Sequence, residues 1–452
     1  CAVRFSPGEP GIVTATISAR RSEIQIEVSP SPAFIDDDLH ICIRGLSPQQ
    51  KITIHATTED DDRRKWSSHA EFRADSSGLV DVAAQESLGG TYRGISPMGL
   101  FWSMHLDGAE PVRSAIFSKK DAASNRVTFE ITNSSHPLAG TKLNRIYLAP
   151  GIQTRDLKVN GHAGKLFLPP GPGPHPAVVV LKGTGGGFDL DKAAALSRHG
   201  IATLALAYLG IPPLPNWLHR IPLEYFEAAL EWLGAQPEID SQRIGVLGVS
   251  RGAELALLLA ATYPQIRAVV AYAPSGVAWA AGGRDKSTGE IIPSWTHNNR
   301  PIPFAPLPLQ SFMLRSAFPV VILRRPVIFR NLFRGGLQNL EAAERASIPV
   351  EKIRGPLLLI SGGDDHLWPA AEMSEAIVER LKRHRFAHAV EHLHYPRAGH
   401  MLRYPHLPTT SRKSGHPQLH DAHYSFGGTP EADAEAQADS WRRSIAFLRA
   451  HL

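Results

Sequence analysis

Short runs between residues 10 and 133 alternate apolar and polar positions. The clearest are SEIQIEVSP, LHICIRGL, QKITIHATT and NRVTFEITN, and each is bounded by Pro, Gly, Ser, Asn or Asp. A period of two between turn residues predicts antiparallel strands with one buried face. Because no helical period of comparable length interrupts them, we predict an immunoglobulin-like β-sandwich.

The pattern changes after residue 140. AVVVLKG (177–183) and IATLALAYLG (201–210) are continuous apolar runs, which are typical of strands buried on both faces of a parallel sheet. Helical spacing appears between such runs, as in PLEYFEAALEWLGAQ (222–236). Strands that alternate with helices predict an α/β fold with a mostly parallel sheet. We therefore predict two domains, a β-sandwich at 1–140 and a catalytic α/β domain at 141–452.

Composition narrows the class of protein. The chain has 452 residues, of which 43% are hydrophobic and 20% charged, as in globular proteins of more than one domain. The sequence contains no run of 18 or more apolar residues, so it predicts no transmembrane helix. The net charge of +5 comes from scattered Lys and Arg, which argues against a nucleic-acid-binding protein.

The two cysteines, Cys1 and Cys42, cannot make a disulfide framework. Cys42, inside LHICIRGL, is typical of a buried strand cysteine. A cysteine at position 1 fits a shortened sequence, or a lipid-modified residue behind a removed signal. We expect a shortened sequence, and we expect the protein to be cytoplasmic. The alternative is an exported protein that is lipid-anchored through Cys1.

Ser250 is the candidate nucleophile. It lies in Gly248-Val249-Ser250-Arg251-Gly252, with apolar IGVLGV before it and AELALLLAA after it. This strand–turn–helix context is that of a nucleophile elbow, in which a tight turn raises the hydroxyl above the sheet and glycines leave room for the turn. The alternative is that Ser250 is only a small residue in a structural turn.

A serine nucleophile needs a base and an orienting carboxylate, in the chain order Ser, acid, His. In PLLLISGGDDHLWP a predicted strand ends at two glycines, which are followed by Asp364 and Asp365. We prefer Asp365 as the acid. Asp364 could instead cap the next helix. His400, in YPRAGHML, follows a strand and a glycine, and we predict that it is the base.

A glycine loop, GTGGGF, follows the strand that ends near residue 182. It lacks the Lys-Ser/Thr ending of a P-loop and the G-x-G-x-x-G spacing of a dinucleotide site. We predict instead an oxyanion hole made by the backbone N–H groups of Thr184, Gly185 and Arg251, the residue after the nucleophile.

A metal site would be the alternative chemistry. HPQLHDAH places His416, His420 and His423 close together, but it contains no H-E-x-x-H pattern, and Pro and Gly nearby favour a loop. We interpret the histidines as solvated and predict neither a metal nor a cofactor.

Several stretches are far more specific than G-x-S-x-G, and they cover nearly the whole chain: RIYLAPGIQ, GKLFLPPGPGPHP, GTGGGF, YFEAALEWL, GVLGVSRGAELALLLA, GGDDHLW, AGHML and GGTPEADAEAQADSW. With them the sequence resembles the acyl-CoA thioesterases of the α/β-hydrolase type, which are grouped with bile acid-CoA:amino acid N-acyltransferase. The resemblance implies a β-sandwich before an α/β-hydrolase domain, and it matches the nucleophile, acid and base to Ser250, Asp365 and His400.

Within that family the thioesterases have serine as nucleophile, whereas the amino-acid-conjugating enzymes typically have cysteine. Ser250 therefore implies hydrolysis of a fatty acyl-CoA to free fatty acid and CoA. The alternatives are a carboxylic ester hydrolase of the same fold, an acyl-CoA:amino acid N-acyltransferase and a non-catalytic binding protein.

The segment 280–350 departs from the family pattern, because it is longer and contains more apolar and basic residues than expected. SFMLRSAFPVVILRRPVIFRNLFRGG intersperses apolar side chains with five arginines, Arg315, Arg324, Arg325, Arg330 and Arg334. One interpretation is a lid that meets the acyl chain and CoA phosphates or, through 311–336, a membrane surface. The other is a packed helical segment with solvated arginines.

Overall fold

The computed structural model describes residues 11–16, 24–108, 116–134, 136–318, 322–323, 325–415 and 423–452. Contacts divide the chain into two compact units. The first consists of Cys1–Leu148 and Tyr404–Ser411, and the second of Ala149–Arg403 and Arg412–Leu452. The first unit is therefore discontinuous in sequence, whereas both predicted domains, 1–140 and 141–452, were continuous.

Strands dominate the first unit. They are β1 (Gly11–Thr16), β2 (Gln25–Ser31), β3 (Ala33–Phe34), β4 (His40–Arg44), β5 (Lys51–Glu59), β6 (Lys65–Arg73), β7 (Val80–Asp81), β8 (Gly89–Gly90), β9 (His105–Leu106), β10 (Asn125–Asn133) and β11 (His136–Ile146). A short helix, α1, spans Gly99–Trp102. A four-stranded sheet has the order β1-β2-β4-β7, and a seven-stranded sheet has the order β3-β11-β10-β5-β6-β8, with β9 beside β6.

The predicted alternation is present in these strands. In β5, Ile52, Ile54 and Ala56 are buried, and the residues between them are partly exposed. All four runs quoted from the sequence contain a strand, which gives a β-rich first unit of two sheets. The immunoglobulin-like arrangement of these sheets stays a prediction.

The second unit contains one large sheet and several short strands. They are β12 (Gln153–Asp156), β13 (Ala163–Leu168), β14 (His175–Leu181), β15 (Ala202–Ala207), β16 (Ile221–Pro222), β17 (Ile239–Val249), β18 (Ile266–Tyr272), β19 (Ala280–Arg284), β20 (Ile291–Pro293), β21 (Trp295–His297), β22 (Arg300–Pro301), β23 (Leu357–Gly362), β24 (Val390–Tyr395), β25 (Lys413–Gly415) and β26 (His423–Ser425).

Eight of these strands form the central sheet, in the order β12-β13-β15-β14-β17-β18-β23-β24. Strand β13 runs antiparallel to β12 and β15, whereas the pairs from β15–β14 to β23–β24 are parallel. Every residue of β15 and β23 is buried, as the continuous apolar runs predict. A mixed sheet of this order, with helices between its parallel strands, is that of an α/β hydrolase.

The helices of the second unit are α2 (Leu190–Ser197), α3 (Glu224–Gly234), α4 (Arg251–Thr262), α5 (Leu309–Phe312), α6 (Arg330–Leu337), α7 (Leu340–Arg345), α8 (Ala370–Arg383) and α9 (Pro430–His451). A π-helical stretch, Met313–Ala317, continues α5, and a 3-10 turn spans Val350–Lys352. No helix within the described ranges combines the length and the apolar composition that a membrane span needs.

The predicted insertion at 280–350 is built from short elements. Its first part joins the body of the unit, because β21 pairs with β16. Its second part, which we call the excursion (309–345), has a small buried cluster of Phe312, Val327 and Leu332. Several large apolar side chains of the excursion are exposed, and we call four of them the apolar patch: Leu314, Phe318, Ile322 and Leu323. Arg324 lies outside the described residues.

Candidate active site

Ser250 lies at the turn between β17 and α4, with a φ of +58°. A side chain on Gly248 would come within 2.1 Å of the carbonyl oxygen of Gly252, and one on Gly252 within 2.5 Å of the carbonyl oxygen of Leu181. Both distances are far below van der Waals contact, so the turn can form only with glycine at these two positions. The strained φ at a non-glycine residue is typical of functional sites.

The backbone ladder of the sheet continues past the ends of the parallel strands. Ser250 N–H donates to Tyr272 O at 2.8 Å, Ala273 N–H to Ile360 O at 2.7 Å, and Gly363 N–H to Tyr395 O at 2.9 Å. The carboxyl ends of β17, β18, β23 and β24 therefore meet at one edge, which is where open α/β sheets bind ligands. Ser250 and the loops containing Asp365 and His400 all leave the sheet at this edge.

Asp365 and His400 are hydrogen-bonded partners. The distance from His400 Nδ1 to Asp365 Oδ2 is 2.7 Å, and the two residues are only 5% and 1% exposed. The other carboxylate oxygen of Asp365 accepts from the N–H groups of Leu367 and Trp368, at 2.8 and 3.2 Å. The ring of Trp368 packs edge-on to the imidazole. These contacts fix the carboxylate and leave Nε2 as the ring nitrogen that does not face Asp365.

The neighbouring carboxylate, Asp364, has other partners. Its Oδ1 lies 3.0 Å from His366 Nε2, and its Oδ2 accepts from Gly428 N–H at 2.9 Å. Asp364 does not cap α8, because Pro369 occupies the residue before that helix. Of the two adjacent aspartates, Asp365 is thus the one that contacts His400, and its role as the acid stays a prediction.

Among the described residues, no hydrogen bond joins the Ser250 hydroxyl to the His400 ring. Such bonds are often long in free enzymes and tighten only when substrate is bound. The structure therefore brings the predicted acid and base together, and it places the predicted nucleophile at the same sheet edge.

The glycine loop contacts Ser250 through its first residue. A Cβ on Gly183 would lie 3.1 Å from Ser250 Cβ, so the backbone of this loop passes beside the serine. The N–H groups of Gly186 and Gly187 are used elsewhere, by Gly183 O and Leu209 O, at 3.1 and 2.9 Å. Thr184 and Gly185 are exposed. Their roles as oxyanion donors, with Arg251, stay a prediction.

A buried ion pair behind Ser250 was not predicted from the sequence. Arg251 Nη1 lies 2.8 Å from Glu254 Oε2. The other oxygen of Glu254 accepts from Trp279 N–H and from Trp295 Nε1, at 3.2 and 2.8 Å, while Arg251 donates to Trp279 O and Ser294 Oγ. Burial raises the pKa of Glu254, and the guanidinium of Arg251 opposes that shift. The pair attaches the first turn of α4 to the segment 279–295.

Asp433, on α9, is a second residue that the sequence analysis did not single out. Its Oδ1 accepts from Gly399 N–H at 2.7 Å, directly before His400. The pKa of Asp433 is raised to about 7, mainly by burial and also by the nearby Asp364 and Asp365, although Gly399 N–H and Arg412 oppose the shift. Asp433 thus holds the loop that carries the imidazole. The pattern GTPEADAE contained only an ordinary helix start, so no sequence signal pointed to this role.

Of the histidines in HPQLHDAH, His416 and His420 lie outside the described residues, and His423 begins β26.

Two family models match the chain. One, described as BAAT / Acyl-CoA thioester hydrolase C terminal, covers residues 221–452, and the other, Acyl-CoA thioester hydrolase/BAAT N-terminal region, covers residues 36–159.

Relatives match over almost the whole length. The peroxisomal succinyl-coenzyme A thioesterase of Mus musculus is 31% identical over 92% of this chain and 94% of its own. Acyl-coenzyme A thioesterase 1 of Homo sapiens is 32% identical with the same coverage. The mitochondrial acyl-coenzyme A thioesterase 2 of Homo sapiens is 32% identical over 92% of this chain and 82% of its own. A solved dienelactone hydrolase-like phosphotriesterase from metagenomic libraries covers 67% of this chain at 19% identity and a TM-score of 0.40.

Proposed function

Because this chain belongs to the acyl-CoA thioester hydrolase/BAAT family, we propose that it hydrolyses fatty acyl-CoA thioesters through an acyl-enzyme on Ser250. The observation that carries the proposal is the buried 2.7 Å hydrogen bond between His400 and Asp365, at the sheet edge where the Ser250 elbow ends. The thioester substrate is inferred from membership of the family, and the activation of Ser250 is inferred from the His400–Asp365 pair.

The reaction proceeds in two halves. His400 Nε2 takes the proton of the Ser250 hydroxyl as its oxygen attacks the thioester carbonyl. Backbone N–H groups of the glycine loop and of Arg251 stabilise the oxyanion. When the tetrahedral intermediate collapses, the C–S bond breaks, CoA leaves as the thiolate, and the imidazolium returns the proton to it. Water then attacks the acyl-serine as His400 takes its proton; the C–O bond to Ser250 breaks, the imidazolium returns the proton to Ser250 Oγ, and the free fatty acid leaves.

Asp365 acts as the orienting carboxylate of this sequence. It accepts the Nδ1–H of His400, which holds the neutral ring in the tautomer with a free Nε2, and it stabilises the imidazolium that forms twice in each turnover. Its own two oxygens are held by three N–H donors, so the geometry requires no reorganisation during the reaction.

A carboxylic ester hydrolase is the second candidate. The observation that favours an ester hydrolase is that the excursion departs from the family pattern and exposes the apolar patch. We propose that this patch, flanked by the exposed Arg315 and Arg325, meets an acyl chain or a lipid surface. An amino acid acyltransferase has less support, because the nucleophile is serine.

The location is also a proposal. We propose a cytoplasmic enzyme; Cys1, on which the alternative of an exported protein rests, lies outside the described residues. Named relatives include peroxisomal and mitochondrial proteins.

The test is release of free thiol from acyl-CoAs of graded chain length, with the wild type beside Ser250→Ala. We expect release by the wild type and a loss of about 10⁴-fold or more in the variant, whose circular dichroism is unchanged. No release at any chain length would contradict the thioesterase proposal. Oxygen esters of equal chain length, and glycine or taurine added to the thioester assay, separate the ester hydrolase and the acyltransferase.

A further inference from the structure

The outward face of the four-stranded sheet carries a set of side chains that the proposed function does not use. His40 and Cys42 are two residues apart on β4, and Asp81 is the register partner of Cys42 on β7. Residues two apart on a strand, and residues directly opposite on neighbouring strands, point to the same face of a sheet. The topology therefore brings an imidazole, a thiol and a carboxylate together.

Cys42 is buried, as predicted, and two of its neighbours along β4 show which face of the strand it occupies. Its neighbours Ile41 and Ile43 are fully buried on the opposite face of β4. On its own face Cys42 is flanked in register by Glu27 of β2 and Asp81 of β7. The sulfur is thus covered by polar and charged groups, which is an unusual environment for a cysteine that only fills space.

The distances between the three groups are those of metal ligands. His40 Nε2 lies 3.4 Å from Cys42 Sγ and 3.1 Å from either carboxylate oxygen of Asp81. All three ligand atoms lie within 4.8 Å of one another. In a tetrahedral zinc site, bond lengths of about 2.3 Å to sulfur and about 2.0–2.2 Å to nitrogen or oxygen place S and N about 3.6 Å apart, and N and O about 3.4 Å apart.

The carboxylate is also held in place for such a role. Asp81 Oδ1 also accepts from Ala83 N–H at 2.9 Å, which orients the carboxylate. Hydrogen bonds of this kind orient metal ligands in known sites. Thiolate, imidazole and carboxylate together favour Zn²⁺ over Mg²⁺ and Ca²⁺, because those two ions prefer oxygen ligands.

We propose that His40, Cys42 and Asp81 bind one Zn²⁺ ion, with the fourth position open to water. The ion would cross-link β4 to β7, the two-residue edge strand of the sheet, and would stabilise the first unit by binding only its folded state. This site is separate from the proposed thioesterase chemistry and does not rest on it.

The test uses the full chain and Co²⁺ as a spectroscopic probe for Zn²⁺. A thiolate bound to Co²⁺ gives an intense charge-transfer absorption, and the chain has only two cysteines. A Cys1→Ser background therefore assigns any such band to Cys42. We expect the band to saturate at one Co²⁺ per chain, to disappear on addition of Zn²⁺, and to be lost in Cys1→Ser/Cys42→Ser.

Further variants in the Cys1→Ser background keep the result interpretable if loss of Cys42 impairs folding. His40 is exposed, so His40→Gln should fold, and we expect it to weaken Co²⁺ binding by at least about tenfold, as should Asp81→Asn. His136→Gln is the matched control, since His136 is an exposed histidine on β11, outside the cluster. Zn²⁺ should raise the Tm of the background protein and of His136→Gln, but not that of His40→Gln. No charge-transfer band in the background protein, or Co²⁺ binding unchanged in His40→Gln, would overturn the proposal.

Discussion

The catalytic edge of the central sheet and the excursion contain similar apolar residues but expose them very differently. Around Ser250, Leu247 and Leu257 are fully buried, whereas Leu314 and Ile322 of the excursion are 63% and 79% exposed. At the edge, the sheet ladder, α4 and buried polar pairs fix each side chain from several directions. In the excursion, a small cluster holds the backbone and leaves the apolar patch facing outward. Side chains fixed by burial and hydrogen bonds and apolar side chains exposed on the surface thus occupy different parts of the chain.

The largest test of the fixed edge is the pair of adjacent aspartates. Asp365→Asn should lower kcat by about 10⁴-fold, because an amide at this position favours the wrong imidazole tautomer. Asp364→Asn is the matched control and should retain most activity, since Asp364 contacts His366 and Gly428 rather than His400. Steady-state kinetics on the best acyl-CoA measures both; equal losses would contradict the assignment of Asp365.

The buried ion pair behind the nucleophile is the next test. Glu254→Ala should lower the free energy of unfolding by about 3–5 kcal/mol, because it leaves the Arg251 guanidinium buried without its partner. Glu341→Ala breaks a comparable pair, with Arg345, on the surface of the excursion, and it should cost less than about 0.5 kcal/mol. Urea unfolding followed by circular dichroism compares them. Similar losses in the free energy of unfolding would mean that the ion pair at the catalytic edge stabilises the protein no more than the surface pair of the excursion does.

Asp433 predicts a pH dependence of stability at the same edge. Its pKa is raised to about 7 in the fold from an ordinary value of 3.8, so folding favours the protonated carboxyl. This stabilisation is complete below about pH 4 and is lost as the pH rises to about 7, a change of at most about 4 kcal/mol.

Asp433→Asn keeps an oxygen that can accept from Gly399 N–H but removes the titration. Between about pH 5 and 7 the wild type should lose stability relative to this variant by up to about 1.4 kcal/mol per pH unit. Urea unfolding of both proteins across that range tests the difference, and parallel curves would contradict the raised pKa.

The smallest effect on stability is expected in the apolar patch. Ile322→Ser should change the free energy of unfolding by less than about 0.5 kcal/mol, because the side chain is mostly exposed. Phe312→Ala, in the buried cluster of the excursion, should cost about 3–5 kcal/mol.

The same Ile322→Ser variant tests the lipid-surface part of the proposal. It should reduce co-sedimentation with anionic phospholipid vesicles, because part of the apolar contact area is lost. Binding that is equal in wild type and variant would exclude Ile322 from any lipid contact.

Residues joined by local rules were predictable from sequence. The Ser250 elbow follows from an apolar strand, two glycines and a helix, and the pairing of Asp365 with His400 follows from chain order and from loops after strands. Glu254 and Asp433 were not predictable, because their roles depend on which distant segments pack against α4 and α9. The face on which Cys42 lies also requires the sheet register.

At the level of the fold, both sets of strands were apparent from periodicity, and the α/β sheet was apparent from alternation with helices. The return of residues 404–411 to the first unit was not, since an eight-residue loop segment has no period that would identify its partners. Its attachment is tertiary: Tyr404 packs edge-on to Tyr147, and Thr409 N–H donates to Trp102 O at 3.0 Å.

This return imposes an order on biosynthesis. The first unit cannot acquire its last segment until Ser411 has left the ribosome, more than 250 residues after Leu148. At about 5–20 residues per second, that interval lasts roughly 10–50 s. During it the nascent first unit lacks the buried side chains of Tyr404 and Leu407, so its completion depends on translation of most of the second unit.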